Sequence, residues 1–135
     1  MTLENLHKSR NLHKEPPNAN ELVGLLNSAR DRLHDAQNTN LSYSSRFDLA
    51  YNAAHGLALA ALRQCGYRTD KRYLVFQCLV HTTPLQPASV RVFSLCHERR
   101  NLAEYEGHME VDEALLDELI SNALELQQLV VLSDV

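Results

Sequence analysis

The sequence predicts an all-α fold, an up-and-down bundle of four or five helices. Three observations carry the prediction. Apolar residues recur at spacings of three and four through several long stretches. Polar or glycine breaks separate those stretches, at Gln37-Asn38-Thr39-Asn40, at Gly66 and at Gly107. The one β-branched run, Tyr73 to Val80, does not alternate and has no second strand to pair with.

Each element follows from its own pattern. Residues 1–17 form a polar N-terminal arm ending in Pro16-Pro17, with Leu3, Leu6 and Leu12 available to dock it, and residues 18–135 form a single helical bundle. Asn18 and Glu21 resemble a capping pair. Beyond them Leu22, Leu26, Ala29, Leu33 and Ala36 mark a helix over about 19–38. From Ser44 or Ser45, an apolar face runs through Phe47, Ala50, Tyr51, Ala54, Leu57, Ala58, Ala61, Leu62 and Cys65, and frequent alanines allow close helix approach. Thr69-Asp70 caps a third helix to about Thr82. Pro87 suits a first helical position and opens a fourth helix that stops at Gly107. Val111, the cap Asp112 and Leu116 form a hydrophobic staple for a last helix. Its inner positions are Leu115, Leu116, Leu119, Ile120, Ala123, Leu126 and Val130.

Composition narrows the function classes. A net charge of -4 excludes a chain that binds nucleic acid through bulk charge, so any such binding needs a local patch. No apolar run approaches membrane-spanning length, and the N-terminus lacks the apolar block of a secretory signal. Cys65, Cys78 and Cys96 sit in apolar patterns, which predicts reduced core thiols in a cytoplasmic protein. The isolated glycines exclude a phosphate-binding glycine loop. Cys78 and His81 share a helical face, but no CxxC or HExxH exists, so no metal and no cofactor are expected. His55 and His81 are expected to be hydrogen-bonded core histidines.

The chemistry concentrates between His97 and Tyr105. On a helical wheel His97, Arg100, Asn101, Glu104 and His108 share one face. Arg99 falls among the apolar Val92, Leu95, Cys96, Leu102 and Ala103, where a charge requires a partner, solvent or a subunit boundary. Arginine forks suit phosphate, and His97 has the titration range of a general acid or base. The competing reading is an intramolecular ion-pair network, with Glu98 and Glu104 neutralising the arginines. Tyr51, Tyr67, Tyr73 and Tyr105 either stack nucleobases or pack at the core edge.

Three segments together resemble a HEPN domain (higher eukaryotes and prokaryotes nucleotide-binding). They are the alanine-rich helix from Phe47 to Leu62 running into Gly66-Tyr67-Arg68, the helix from Tyr73 to His81, and Arg100-Asn101-Leu102-Ala103-Glu104-Tyr105. The resemblance implies a bundle that dimerises. In active members an arginine, the polar residue after it and a following histidine form a metal-independent ribonuclease site across the dimer. Arg100 and Asn101 match the first two. Positions 105 to 107 are Tyr105, Glu106 and Gly107, and His108 lies beyond the helix stop. The expectation is therefore a non-catalytic or degenerate RNA- or nucleotide-associated homodimer, with Arg99, Arg100, Asn101, Glu104 and Tyr105 in its binding or dimer cleft. The resemblance also implies toxin–antitoxin or defence settings, with a nucleotidyltransferase-like antitoxin as a partner. Two alternatives stand beside it. One is an endoribonuclease toxin using Arg100, Asn101 and a displaced histidine such as His97. The other is a structural dimer whose polar helix face is an interface.

Overall fold

A computed structural model describes residues 2–133, and for residues 131–133 the backbone alone. The fold is an all-α helical bundle. In chain order, α1 (Leu3–Lys8) leads through β1 (His13–Lys14) to α2 (Ala19–Ala36) and α3 (Tyr43–Gln64). Next come β2 (Tyr67–Arg68), α4 (Arg72–Gln77), α5 (Leu79–Thr82), α6 (Pro87–Glu106) and α7 (Glu113–Ser133).

The central helix is α3. Alanines at positions 50, 53, 54, 58, 60 and 61 are all buried, so α2, α4, α6 and α7 pack against it from several sides. Small side chains permit that approach, while Phe47, Tyr51, Leu57 and Leu62 supply the bulk. All seven inner positions expected of α7 are buried.

Caps set the helix starts. Asn18 accepts from the Glu21 amide at 3.0 Å, and Ser42, rather than Ser44 or Ser45, caps α3 by accepting from the Ser45 amide. Asp112 accepts from the Leu115 amide at 3.1 Å. Gly107 closes α6 in the left-handed region at φ 83°, where glycine carries no Cβ penalty. The staple does not form, because Val111 is 67% exposed and its neighbour in the fold is solvent.

Two other expectations are corrected. The third helix is two short ones broken at Cys78, where the chain tightens to a three-residue bond from the His81 amide to the Cys78 carbonyl. It starts at Arg72 because the Thr69 hydroxyl folds back onto the Lys71 amide and makes a turn. Tyr73 to Val80 is helical, as expected, and a short ladder forms elsewhere, with Tyr67–Arg68 pairing antiparallel to His13–Lys14.

That ladder docks the N-terminal arm. Leu6 and Leu12 enter the core, at 7% and 1% exposure. Beneath the arm lies Arg63, 2% exposed. It donates through Nε to Glu21 at 2.6 Å, and to the carbonyls of Glu15 and Pro16 at 2.8 and 2.7 Å. Its Nη2 also lies 3.1 Å from the Glu15 carboxylate. Arg68 binds the same two carboxylates from outside. The pairing, led by the bond from Arg63, holds the Glu21 carboxyl below its ordinary value.

Candidate functional site

The polar cluster arises where the inward face of α6 changes character. In the first half of the helix that face carries Val90, Phe93 and Cys96, all buried. One turn further on it carries His97 and Arg100 instead. Both meet α3, which runs antiparallel, so that His97 reaches Tyr51 and Arg100 lies near Asp48.

His97 is held at both ring nitrogens. Nδ1 lies 2.9 Å from the Tyr51 hydroxyl, and Nε2 lies 3.1 Å from the Asn101 amide nitrogen. Taking that amide nitrogen as the donor, Nε2 is the bare acceptor and Nδ1–H donates to the Tyr51 oxygen. The ring is then neutral. The electrostatics agree: burial first, then the Arg72 and Arg100 guanidiniums, hold His97 below the usual imidazole value, with Glu98 opposing. Burial likewise raises the Tyr51 hydroxyl.

Two guanidiniums converge on the Tyr51 ring. The Arg100 carbon sits 5.1 Å and the Arg72 carbon 5.7 Å from its centroid, a cation–π arrangement on a ring that also stacks with His97. Arg72 comes from the start of α4 and donates to the Asn52 side chain at 3.0 Å. Among the described residues it makes no ion pair. Arg100 pairs with Glu104 at 3.0 Å, one turn away. Its buried Nε makes no hydrogen bond, and the Asp48 carboxylate stands 3.7 Å from it. Under this layer lies His55, edge-on to Phe76. Burial, aided by Arg72 and His97, lowers it to about 4.

The structure thus brings together His97, Arg100, Asn101 and Glu104 of the expected residues. Arg99 is separate. It turns away toward the α6–α7 junction and lies 3.6 Å from Asp112, with its side chain 41% exposed. The apolar arc expected around it is split: Cys96 is fully buried and Val92 packs against the core, while Leu95 is 40% and Leu102 51% exposed, so Arg99 stands at the edge of the packed face. Tyr105 is 91% exposed. His108 lines a cleft of about 560 Å³ together with Arg100, Asp48, Glu104 and Ser44.

Sequence reasoning missed Arg72, Asn52 and the role of Tyr51. A tyrosine inside an alanine-rich apolar face was itself a signal, since a buried phenol needs a hydrogen-bond partner. The expectations for Cys65 and His81 are corrected: both are exposed, Cys65 at the end of α3 and His81 on α5. Burial pushes Cys78 up to about 11 and Cys96 up to about 12, so both are inert thiols at neutral pH. Among the described residues no three His, Cys, Asp or Glu side chains are grouped to hold a metal ion. Nor is any described helix long and apolar enough to cross a membrane.

Compared with protein-family models, with curated proteins and with solved structures, the chain matches none.

Proposed function

We propose that this chain is a HEPN-like helical module that binds the phosphate groups of RNA or a nucleotide without cleaving them. The observation that carries the reading is the convergence of Arg72 and Arg100 on the Tyr51 ring beside a neutral His97. Among the described residues Arg72 makes no ion pair, its polar partner being the Asn52 amide, and Arg100 keeps one donor without a hydrogen bond. For Arg72 a phosphate oxygen is a stronger acceptor than the neutral Asn52 amide oxygen, and at Arg100 it would compete with the exposed Glu104 carboxylate. Asn101 is exposed at the rim and supplies a further donor.

The absence of catalysis rests on His97. Both of its nitrogens are engaged, so neither is free to take a proton from a ribose hydroxyl. One observation favours the alternative, a metal-independent endoribonuclease: His108 lines the same cleft as Arg100. Incubating RNA with the protein in EDTA, beside Arg100→Ala and His108→Ala, separates the two. The binding reading expects intact RNA in all three samples. Cleavage by the parent that either variant abolishes would replace it with the nuclease.

Homodimerisation is part of the same proposal. Its support is the outward stripe of Leu95, Leu102 and Tyr105 on α6, next to Asn101. A second copy seated there would place two phosphate sites side by side. A nucleotidyltransferase-like antitoxin remains the partner class that the HEPN likeness suggests.

A further inference from the structure

Arg72 and Arg100 are not equally open to an anion. Arg72 makes no ion pair among the described residues and donates to the neutral Asn52 amide. Arg100 stands between two carboxylates, with Glu104 3.0 Å from its Nη1 and Asp48 3.7 Å from its Nε. All three side chains line the cleft of about 560 Å³, and Arg100 is the one Lys or Arg among its described lining residues. Counted over Lys, Arg, Asp and Glu, that lining is net negative, so a phosphate oxygen reaches Arg100 only when a carboxylate gives way. Glu104 is the one placed to do so. Its side chain is 63% exposed, so water receives the released carboxylate at small cost. Helix stability does not explain its position. It lies in the last turn of α6, which carries no base, at the negative end of the helix dipole. An arginine four residues before a glutamate is also the weaker of the two orders for such a pair.

We infer that Glu104 is a built-in competitor of the ligand: it occupies the Arg100 fork in the free protein and swings into water when a phosphate takes its place. This rests on the phosphate-binding reading and adds an order to it. Arg72 is the standing anchor, and Arg100 is the second contact, made at the expense of the Glu104 pair. An exposed ion pair is weak, so the lock lowers affinity by a modest factor and does not close the site. Only the fraction of molecules whose Arg100 is free binds with full strength, and removing the competitor raises that fraction.

The test is a double-mutant cycle in RNA affinity, read by fluorescence anisotropy on the full chain with a short labelled RNA. The variants are Glu104→Gln, Arg100→Ala, the two combined, Arg72→Ala and Glu106→Gln. Glu106 sits in the same last turn but lines a different cleft, so its variant removes a charge without removing the lock. Glu104→Gln should tighten binding about three- to five-fold, and Glu106→Gln by less than about two-fold. With Arg100→Ala already present, Glu104→Gln should gain less than about two-fold, because no fork is left to free. Three results overturn the inference: Glu104→Gln binding like the parent, Glu106→Gln tightening as much, or the same gain with and without Arg100. If Arg72→Ala still weakens binding in that case, the lock falls and the phosphate site stands. If Arg72→Ala binds like the parent, or no RNA binds, the phosphate site falls and the lock falls with it.

Discussion

Arg63→Met tests how the N-terminal arm is held. Methionine keeps most of the apolar stem and removes the guanidinium. The carbonyls of Glu15 and Pro16 then lose charged donors at 2.8 and 2.7 Å. A buried acceptor left without its donor costs about 1–3 kcal/mol. Glu21 also loses its 2.6 Å partner, yet it keeps Arg68 and is partly exposed, so that loss is nearer 1 kcal/mol. Glu15 and Pro16 are exposed residues, so water recovers part of the loss and each carbonyl costs about 1–2 kcal/mol; the sum is about 3–5 kcal/mol, in the range for breaking a buried charged contact. For a domain of this size that lowers the melting temperature by roughly 10–20 °C. Urea unfolding followed by circular dichroism gives the free energy. Trypsin cutting at Arg10 or Lys14 reports the arm directly, because undocking pulls Leu6, Leu12 and the His13–Lys14 strand off the bundle. Glu21→Gln should cost less, since Arg63 retains Glu15 and the two carbonyls. A loss below about 1 kcal/mol for Arg63→Met, with the arm cut no faster than in the parent, would refute the reasoning.

Further outcomes follow from the same contacts. His55 falls to about 4 in the fold from an ordinary 6.5, so between those values the unfolded chain takes up a proton that the native state refuses. Stability therefore drops as pH falls through that window, by at most about 3 kcal/mol, and His55→Leu should flatten this part of a melting-temperature profile. The Glu21 carboxyl is held below 4.5, so its contribution is present above that pH and disappears further into acid; Glu21→Gln should remove that later loss from the same profile. Arg10 occupies the left-handed region at φ 65°, so Arg10→Gly should stabilise the fold by about 1 kcal/mol in urea unfolding. The imidazole NMR titration of His97 should have its midpoint below 6.5 and move up in Arg72→Ala; an unchanged midpoint would remove Arg72 from its surroundings.

Helices with one buried face were the legible part of this fold. The α7 pattern is a single stripe, and every inner position it marks is buried. Pro87 and Gly107 bracket α6 as their backbone preferences require. The face of α6 was not legible. Its apolar residues lie all round the helix, so periodicity could not choose between the side through Leu95 and Leu102 and the side through Phe93 and Cys96. Contacts distant in sequence were equally hidden. Arg63 reaches Glu21 across 42 positions, and Tyr51 reaches His97 across 46. The short His13–Lys14 strand carries no alternation to read, and its pairing depends on where α3 ends. Within the site, Arg100, Asn101 and His97 could be grouped because they share one helix. Arg72 comes from another helix and is placed there by packing alone.

The central claim is that Arg72 and Arg100 hold phosphate, and the salt dependence of RNA affinity tests it most directly. Two phosphate contacts on unpaired RNA give a slope of about -1.4 in log affinity against log salt, or about seven-fold weaker binding from 50 to 200 mM. Arg72→Ala should halve that slope to about -0.7. A parent affinity that does not respond to salt, or an Arg72→Ala slope equal to the parent's, would contradict the account.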